Sequence, residues 1–424
     1  MNNNKVIHSW CMYDWANSAF STTIMAAILP LFFRNVAAVS ISSNQSHLAI
    51  SIWGYTTAFA MLVVACLALI LGPISDYSGS KKRYLAVFVA IGVTATGLLT
   101  LMGAGDWITV CILFIIGCIG SVGSEVFYDS LLPHIASPGE MDRVSTRGYA
   151  LGYMGGAILL AVNLAFIWFL PKTVIQTGQE SVPVLGMKLS FFSVALWWAL
   201  FSIPLFRYIP EPGITRQLRP GEHAVGIAFR RLSATFHEIR KYRQAFLFIV
   251  AFWLYNDGIA TILKMGLLFG DEIGISTLDL IGALMLNQVL GIPFTMGFGK
   301  MAKKIGSKNS ILLGILVYVF ITLGAFLMTR AIHFWILAFL SGMVQGGTQA
   351  LSRSVYAKLI PREKSAEFFG FYNISGRLAG ILGPVIFAAT TQIFASSRLG
   401  VLSLTVFFIA GGLVLMKVKT VENN

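Results

Sequence analysis

The chain has 424 residues, of which 56% are hydrophobic and only 12% are charged, and its mean hydropathy is +0.76. A water-soluble fold cannot bury so large an apolar share, which excludes a soluble enzyme or binding domain. The net charge is +13, yet no basic arm or recognition motif stands apart from the loops. Nucleic-acid binding is therefore not predicted.

Twelve apolar runs are long enough to cross a hydrocarbon core, which needs roughly 20 helical residues. We number them as spans 1 to 12, and they lie near 12–33, 50–72, 84–103, 107–130, 147–170, 188–207, 244–270, 274–298, 309–328, 332–352, 368–391 and 397–416. Their apolar and polar residues do not alternate strictly, which argues against a membrane barrel. The predicted fold is all-α, a polytopic membrane protein with twelve transmembrane helices.

One long polar interval, 207–243, separates six spans from six more. It divides the chain into a six-helix bundle over 1–207, a central loop over 208–243 and a second six-helix bundle over 244–424. Within the loop, apolar residues recur at helical spacing among arginines, namely Val225, Phe229, Leu232, Phe236 and Ile239. This pattern predicts an amphipathic helix on the inner membrane face.

Positive residues predict the orientation, because Lys and Arg in short loops stay on the cytoplasmic side. With the amino terminus inside, the outside loops hold only Arg34, Lys172, Lys188, Arg330 and Arg398. Both termini and the central loop are therefore expected in the cytoplasm of a bacterium, with the spans in its inner membrane. Span 1 has no charged segment followed by a cleavage site, so we expect it to be retained.

No enzyme, metal site or cofactor site is predicted. The cysteines Cys11, Cys66, Cys111 and Cys118 lie in or next to spans, without metal spacing or a plausible paired partner. The sequence also shows no nucleophile constellation and no phosphate-cradling loop.

Span 1 carries Asp14, Asn17, Ser18 and Ser21 on one helical face. A carboxylate inside a span costs about 2.5 to 3.5 kcal/mol, so it normally faces protein or a water-filled cavity. Asp14 and Asn17 are therefore candidate substrate-binding residues. The alternative is that Asp14, near the predicted cytoplasmic end, caps or pairs locally.

Span 4 places Glu125 and Asp129 one turn apart on one face. Two carboxylates so close would not ionise independently, so one of them could hold a proton near neutral pH. Ion pairs with Arg143 or Arg147 are the alternative. The proton-coupling candidates are Asp14, Glu125, Asp129 and Asp257.

Span 7 places Asp257 near mid-membrane, with Thr261 and Lys264 on the same face, where a structural salt bridge is the alternative to a functional site. Nearby Gly258 suggests a local helix break. Polar residues of the second half that could line a cavity, or simply bond neighbouring helices, are Tyr255, Asp257, Lys264, Asn287, Gln288, Gln345, Gln349, Asn373 and Arg377. Arg377 would pair with Asp257, Asp14 or an anionic substrate group.

The turn after span 2 contains Gly72, Asp76 and Gly79 and continues into Lys81, Lys82 and Arg83. This spacing resembles the cytoplasmic helix 2 to 3 motif of the major facilitator superfamily. The resemblance implies a state-dependent latch between Asp76 and the cytoplasmic end of span 11, with Gly72, Asp76, Gly79, Lys81 and Lys82 as latch candidates. An ordinary turn anchored to headgroups is the alternative. A second copy after span 8 has Lys303 at the carboxylate position, which makes a latch there doubtful.

Further motifs recur between the halves. Tyr13-Asp14 has a counterpart in Tyr255-Asn256-Asp257, and 123–133 resembles 347–361. Together with YDWANSAF at 13–20, GGTQALSRS at 346–354 and EFFGFY at 367–372, these pieces resemble the "unknown major facilitator" branch of that superfamily. This branch includes the fungal autophagy-linked vacuolar amino-acid effluxers, so the resemblance implies secondary transport of small solutes.

We therefore expect a secondary active transporter whose two bundles rock about a cavity lined by spans 1, 4, 7, 8, 10 and 11. In this hypothesis Arg377 and Lys264 receive a substrate carboxylate, and Asp14 or Asp257 an ammonium group, which suits an amino acid or similar zwitterion. Proton coupling, as symporter or antiporter, and export remain open. The alternative is an uncoupled facilitator or channel-like pore for another small metabolite. The expected partners are a small-molecule substrate and the lipid bilayer, with no nucleic acid, and the expected state is a monomer.

Overall fold

The computed structural model describes residues 3–39, 41, 52–64, 66–67, 75, 80–174, 181–211, 242–273, 275, 277–378, 382–394 and 396–419. These residues form helices joined by short turns, and their one β-bridge pairs Thr173 with Val182. The predicted all-α class is confirmed. The predicted amphipathic helix of the central loop lies outside the described residues, as do Gly72, Asp76 and Gly79.

Six helices are described in the first half. The helix α1 begins at Asn3–Ala19 and continues through a π-helical segment, Phe20–Ala27, the α-helical turns Ile28–Phe32 and a second π-helical segment, Phe33–Ala37. It is followed by α2 (Ile52–Val64), α3 (Lys81–Leu98), α4 (Trp107–Ile135), α5 (Met141–Phe169) and α6 (Val184–Tyr208).

The second half begins with α7 (Arg243–Glu272), α8 (Thr277–Ile305), α9 (Ser307–Phe326) and α10 (Ala331–Leu359). Predicted span 11 is described in two helical stretches, α11 (Ser365–Leu378) and α12 (Leu382–Phe394), on either side of residues 379–381, which lie outside the described part. The last span, α13 (Ser397–Met416), is helical over Ser397–Ser403 and Thr405–Met416.

Nine helices in the described part of the chain are long and apolar enough to cross a membrane. Their two faces differ as expected for helices between protein and lipid. On α6, Phe192, Leu196, Leu200 and Ile203 are exposed at helical spacing, whereas Trp198 on another face is fully buried. The exposed stripe is an apolar surface that suits contact with acyl chains rather than water.

Packing divides the chain into two compact units. Unit 1 contains Met1–Leu131 and Leu151–Leu218, and unit 2 contains Leu132–Ala150 and Arg219–Asn424. In unit 1, α1 and α3 pack on α6, and in unit 2, α8 and α9 pack on α10 while α7 packs on α13. The predicted sequence boundaries 1–207, 208–243 and 244–424 stay a prediction.

A close helix crossing joins α3 and α4 within unit 1. Gly92 and Gly120 face each other there, and a β-carbon at Gly120 would overlap backbone atoms of Gly92 and approach the carbonyl oxygen of Phe88 to 2.7 Å. Because these are backbone atoms, the obstruction could not be relieved by a side-chain rotation. Small residues permit this kind of close approach between membrane helices.

We expect Gly120→Ala to destabilise the protein by about 1 to 3 kcal/mol, because the added methyl group would force the two helices apart. Thermal unfolding of the purified protein in detergent, followed by tryptophan fluorescence, measures the change. Gly97→Ala is the matched control, since its β-carbon would meet only Ala195 at 3.8 Å. Equal unfolding temperatures for the Gly120 variant and this control would contradict the prediction.

Candidate functional site

A connected polar cluster joins α1 and α4 in the middle of unit 1. Tyr128 Oη donates a hydrogen bond to Asp14 Oδ2 at 2.7 Å, and Asn17 Nδ2 donates one to Glu125 Oε1 at 3.1 Å. The amide oxygen of Asn17 accepts a bond from Ser121 Oγ at 2.9 Å. The structure therefore brings Asp14, Asn17 and Glu125 into one cluster, although the sequence suggested them from separate motifs.

Aromatic residues fix the geometry of this cluster. Tyr13 Oη donates to Ser124 Oγ at 2.6 Å, and its ring lies 4.8 Å from the ring of Tyr128. Trp10 stacks on Tyr128 with ring centroids 4.4 Å apart and donates its Nε1–H to the Tyr128 carbonyl oxygen. Trp10, Tyr13 and Tyr128 are almost completely buried. Their packing leaves the tyrosine hydroxyls few alternative orientations.

The two carboxylates of the cluster differ in exposure from the residues that orient them. Asp14 and Glu125 are half-buried, whereas Asn17, Ser121 and Ser124 are buried. The Tyr128 hydroxyl orients the Asp14 carboxylate, and the Asn17 amide orients the Glu125 carboxylate. Such a carboxylate can accept a proton or a cationic substrate group. Asp129, the third acidic residue predicted in this half, is buried with 7% exposure.

A related arrangement occurs in unit 2 between α7 and α10. The hydroxyl groups of Tyr255 and Ser352 are 2.5 Å apart, and Ser352 Oγ donates to the carbonyl oxygen of Thr348. Ser124 precedes Pro133 by the same interval as Ser352 precedes Pro361. The tyrosine to serine hydrogen bond therefore recurs at corresponding positions of the two sequence repeats.

Asp257 occupies a different environment from Asp14. Its side chain is 1% exposed, and its Oδ2 accepts a hydrogen bond from the backbone N–H of Gly383 at 3.0 Å. The hydroxyl of Thr261 donates to the carbonyl oxygen of Asp257 within the same helix, at 2.7 Å. Asp257 is therefore engaged by the backbone of α12, and this contact was not expected from the sequence.

The other predicted substrate residues of unit 2 are dispersed. Asn287 donates to Ser341 Oγ at 3.0 Å and lines an apolar cavity of about 80 Å³ between α7, α8, α9, α10, α12 and α13. Asn373 donates to the Phe369 carbonyl oxygen of its own helix. Gln288, Gln345 and Gln349 are half-buried, and the side chains of Lys264 and Arg377 lie outside the described part of the structure. Most of the described residues that line this cavity are apolar, with Asn287, Thr322 and Ser341 as its polar members.

Two of the latch candidates, Lys81 and Lys82, lie in the described part of the chain, at the start of α3. The backbone N–H of Lys82 donates to Glu211 Oε1 at 2.8 Å, and Lys82 Nζ donates to the carbonyl oxygen of Ile209 at 2.6 Å. Lys81 is buried. Glu211 thus satisfies a backbone donor in the first turn of α3, as a capping carboxylate does. These contacts tie α3 to the segment after α6 and leave the latch itself a prediction.

A second polar cluster was missed by the sequence reasoning and lies in unit 2. Asp142, in the first turn of α5, accepts hydrogen bonds from Ser354 Oγ at 2.6 Å, Ser307 Oγ at 2.7 Å and Lys358 Nζ at 2.8 Å. The Asp142 and Lys358 side chains are about nine-tenths buried. Asp142 at a helix N-terminus and Lys358 at the C-terminal end of α10 also suit the two helix dipoles.

Arg353 adds further contacts between α10 and α5. Its Nε donates to Ser145 Oγ at 2.9 Å, its guanidinium also donates to the Ser145 carbonyl oxygen, and it lies 4.4 Å above the ring of Tyr149. Arg353 is 2% exposed. From the sequence, Arg353 and Lys358 were interpreted only as loop charges that set orientation. The available signal was Asp142 directly after a turn, followed by Ser145 and Thr146 at helical spacing.

Among the described residues, no group of three or more His, Cys, Asp and Glu side chains is placed to hold a metal ion. The two clusters described above offer carboxylate, hydroxyl, amide and cationic groups. These groups bind, orient and exchange protons or charged solutes.

Comparison with known proteins identifies the class to which this fold belongs. The chain superposes on the proton:xylose symporter XylE with a TM-score of 0.74 over 99% of this chain and 96% of that one, at 14% identity. It matches the human organic anion transporter MFSD10 with the same score, over 98% of this chain and all of that one, at 15% identity. The predicted major facilitator fold is confirmed.

The family within that fold is shown by sequence. Residues 2–423 match the family described as vacuole effluxer Atg22 like. The MFS-type transporter YxiO of Bacillus subtilis is 38% identical over 96% of this chain and 93% of its own length. Autophagy-related protein 22 of Saccharomyces cerevisiae is 23% identical over 91% of this chain and 86% of its own length.

The chain belongs to the Atg22-like family of major facilitator transporters. This membership confirms the resemblance inferred from the sequence motifs. It also confirms that the protein is an integral multi-pass membrane transporter and not an enzyme.

We expect Asp142→Ala to destabilise the protein by about 3 to 5 kcal/mol, because it leaves the buried Lys358 ammonium without its carboxylate. A double-mutant cycle with Lys358→Met, read by thermal unfolding in detergent, measures the pair directly. Because both ions are absent in the double variant, it should lose less stability than the two single variants together. The control is Glu140→Gln, which alters an exposed hydrogen bond from Ser137 in the turn between α4 and α5. Additive effects in the cycle would contradict the prediction.

Proposed function

We propose that the protein is a secondary active transporter that moves a small zwitterionic solute, such as an amino acid, across the membrane by alternating access. The observation that carries the proposal is the α1 and α4 cluster, in which Tyr128 donates a hydrogen bond to Asp14 and Asn17 donates one to Glu125. Family membership supports a transport function. The cluster provides ionisable groups of the kind that a coupled transporter needs within the bilayer.

The substrate class follows from the sign of these charges. An ammonium group is a compact cation with three donors, and half-buried carboxylates suit such a partner. We propose that the ammonium group binds at Asp14, with Asn17 as a further polar contact. The proposed counterpart for a substrate carboxylate is Arg377 or Lys264.

Proton coupling is proposed at Glu125. The Glu125 carboxylate accepts a hydrogen bond from the Asn17 amide, and a protonated carboxyl group could donate a hydrogen bond as well. Protonation of Glu125 would thus place a hydrogen-bond donor next to Asn17. It would also remove a negative charge and so alter the electric field at Asp14. Asp129 is a second candidate, because it is buried one turn further along α4.

Direction and orientation complete the proposal. The family description contains the word effluxer, which favours export of the solute from the compartment bounded by the membrane. Loop charges favour a bacterial inner membrane with both termini in the cytoplasm. The proposed protein works as a monomer in the lipid bilayer. An uncoupled facilitator or channel-like pore for another small metabolite is the second candidate, favoured if transport does not respond to protons.

Transport in proteoliposomes tests the proposal. Purified protein is screened for counterflow of radiolabelled amino acids, and the best substrate is then measured with and without an imposed pH gradient. We expect saturable counterflow and a response to the gradient. Saturable counterflow without any response to the gradient would support the uncoupled facilitator instead.

Substitutions at Asp14 and Glu125 should separate substrate binding from proton coupling. Asp14→Asn should raise the KM for the substrate by about tenfold or more, because a charge-assisted contact of about 1.5 to 3 kcal/mol is lost. Glu125→Gln should retain counterflow and lose the response to the pH gradient. The control is Asp106→Asn, which changes an exposed carboxylate outside the cluster. Wild-type kinetics and coupling in both cluster variants would remove these residues from the mechanism.

A further inference from the structure

A lysine-rich surface lies at one end of unit 2 and shares no residue with the proposed transport cluster. It is formed by the end of α8, the start of α9 and the segment that follows α13. All of its members are exposed except Lys308, which is half-buried. We define the lysine surface by six residues, namely Lys300, Lys303, Lys304, Lys308, Lys417 and Lys419.

Lys308 joins the helix ends that carry this surface. Its Nζ donates to the carbonyl oxygen of Val418 at 3.0 Å and to that of Met416 at 3.4 Å. Because α9 packs on both α8 and α13, its first turn lies between their ends. The backbone N–H of Lys419 also donates to Gln244 Oε1 at 2.8 Å, in the first turn of α7. The segment after α13 is therefore held against α7 and α9, at the same end of unit 2 as the lysines of α8.

The charges of the lysine surface are not compensated within the described part of the chain. In that part, no ion pair and no side-chain hydrogen bond is found for Lys300, Lys303, Lys304 and Lys417. Lys308 donates to carbonyl oxygens, which carry no net charge. The surface therefore presents a concentrated positive charge to whatever lies beside it.

The lysines of α8 continue a stripe of exposed apolar residues. Met285, Val289 and Met296 are 45 to 56% exposed and recur at helical spacing along this helix. Lys300 follows Met296 by one turn, and Lys304 follows by one turn more, on the same face. Because an exposed apolar stripe suits contact with acyl chains, the lysines at its end lie where acyl chains give way to headgroups.

The end of α13 repeats this arrangement. Val406, Ile409 and Leu413 are more than half exposed, and Lys417 follows Leu413 by one turn. Met416 beside it is 53% exposed. Two helices joined through α9 therefore place cations next to exposed apolar side chains at one end of unit 2. This combination fits an amphipathic partner with a negative head and an apolar tail.

We infer that the lysine surface is a binding site for the headgroup of an anionic phospholipid. The phosphate oxygens accept hydrogen bonds from the ammonium groups, and the acyl chains lie along the exposed stripes of α8 and α13. A zwitterionic headgroup such as phosphocholine carries its own cation, which the lysines repel, so the site selects lipids with a net negative charge. The inference assigns a lipid partner and does not rest on the identity of the solute or on proton coupling.

A soluble anion is a poorer match to the same surface. Inorganic phosphate or an acidic peptide would contact the lysines but would leave Leu413, Met416 and the neighbouring Ile305, which is 45% exposed, without an apolar partner. Exposed lysines bind such anions weakly, because salt screens the contact and ordering the side chains costs entropy. The acyl chains add the apolar contact that distinguishes a lipid from these alternatives.

Thermal unfolding of the full-length protein in an uncharged detergent tests this lipid selectivity. Dioctanoyl phosphatidylglycerol, an anionic lipid, is compared at equal concentration with dioctanoyl phosphatidylcholine, and inorganic phosphate and polyglutamate serve as soluble anions. We expect phosphatidylglycerol to raise the unfolding temperature by about 2 °C or more above the value in phosphatidylcholine, because a ligand of the folded state stabilises it. The soluble anions should not reproduce the rise.

Charge-removing and charge-conserving substitutions locate the effect. Lys300→Gln/Lys304→Gln should remove the difference between the two lipids, whereas Lys300→Arg/Lys304→Arg should keep it, because the guanidinium groups retain the charge. The control is Lys172→Gln/Arg330→Gln, which removes two exposed cations outside the lysine surface and should respond like wild type. If the α8 Gln pair does not fold, Lys417→Gln/Lys419→Gln repeats the test in the segment after α13.

Native mass spectrometry measures lipid binding without unfolding the protein. Complexes of the protein with phosphatidylglycerol are quantified against unbound protein over a range of lipid concentrations. We expect the α8 Gln pair to weaken binding about tenfold or more, since each cation near an anionic headgroup adds an increment of binding free energy. The Arg pair and the control pair should stay within about twofold of wild type, because both keep the positive charge of the lysine surface.

The outcomes separate this inference from the proposed function, because neither measurement requires transport. The site is supported if phosphatidylglycerol binds and stabilises selectively, and if the Gln pair abolishes this effect while the control pair retains it. The inference is overturned if the two lipids act alike on wild type, or if the control pair loses as much as the Gln pair, which would indicate a general charge effect. It is also overturned if phosphate or polyglutamate raises the unfolding temperature as phosphatidylglycerol does, because the partner would then be a soluble anion.

Discussion

The structure depends on one constraint, which is that a polar group inside hydrocarbon has no water to bond and must find its partner within the protein. Helices meet this constraint for most of the backbone, but not for side chains or for helix ends. Several of the described polar side chains therefore occur in clusters in which donors meet acceptors. Tyr128 donates a hydrogen bond to Asp14, Asn17 donates one to Glu125, and the backbone N–H of Gly383 donates one to Asp257.

The same constraint separates the acidic residues by role. Asp142 has three donors, including the Lys358 ammonium, so its charge is compensated locally and its function is to hold elements of unit 2 together. Asp257 accepts the backbone N–H of Gly383 and is almost completely buried. Asp14 and Glu125 accept hydrogen bonds from Tyr128 and Asn17 and are half-buried. We therefore place the proposed function at these two carboxylates, which are less enclosed than Asp142 and Asp257.

Much of the fold could be predicted from the sequence, because apolar length and loop charge act locally along the chain. Run length identified the spans, and the helices α3 to α10 follow the predicted order. The site was less predictable. Motif spacing selected Asp14 and Glu125, but their contacts with Tyr128 and Asn17 depend on the packing of α1 against α4.

The residues that sequence reasoning misread show what information was missing. Arg353 and Lys358 follow the positive-inside pattern, so topology accounted for them and no further partner was sought. In the structure, Arg353 is 2% exposed and bonds to Ser145. A charge near a membrane boundary can therefore set orientation during insertion and then serve a buried contact in the folded protein. Only the contact partner in the folded structure distinguishes these two roles. Basic residues within or after a polar, glycine-containing segment such as 346–354 should therefore be considered both as orientation signals and as buried contact residues.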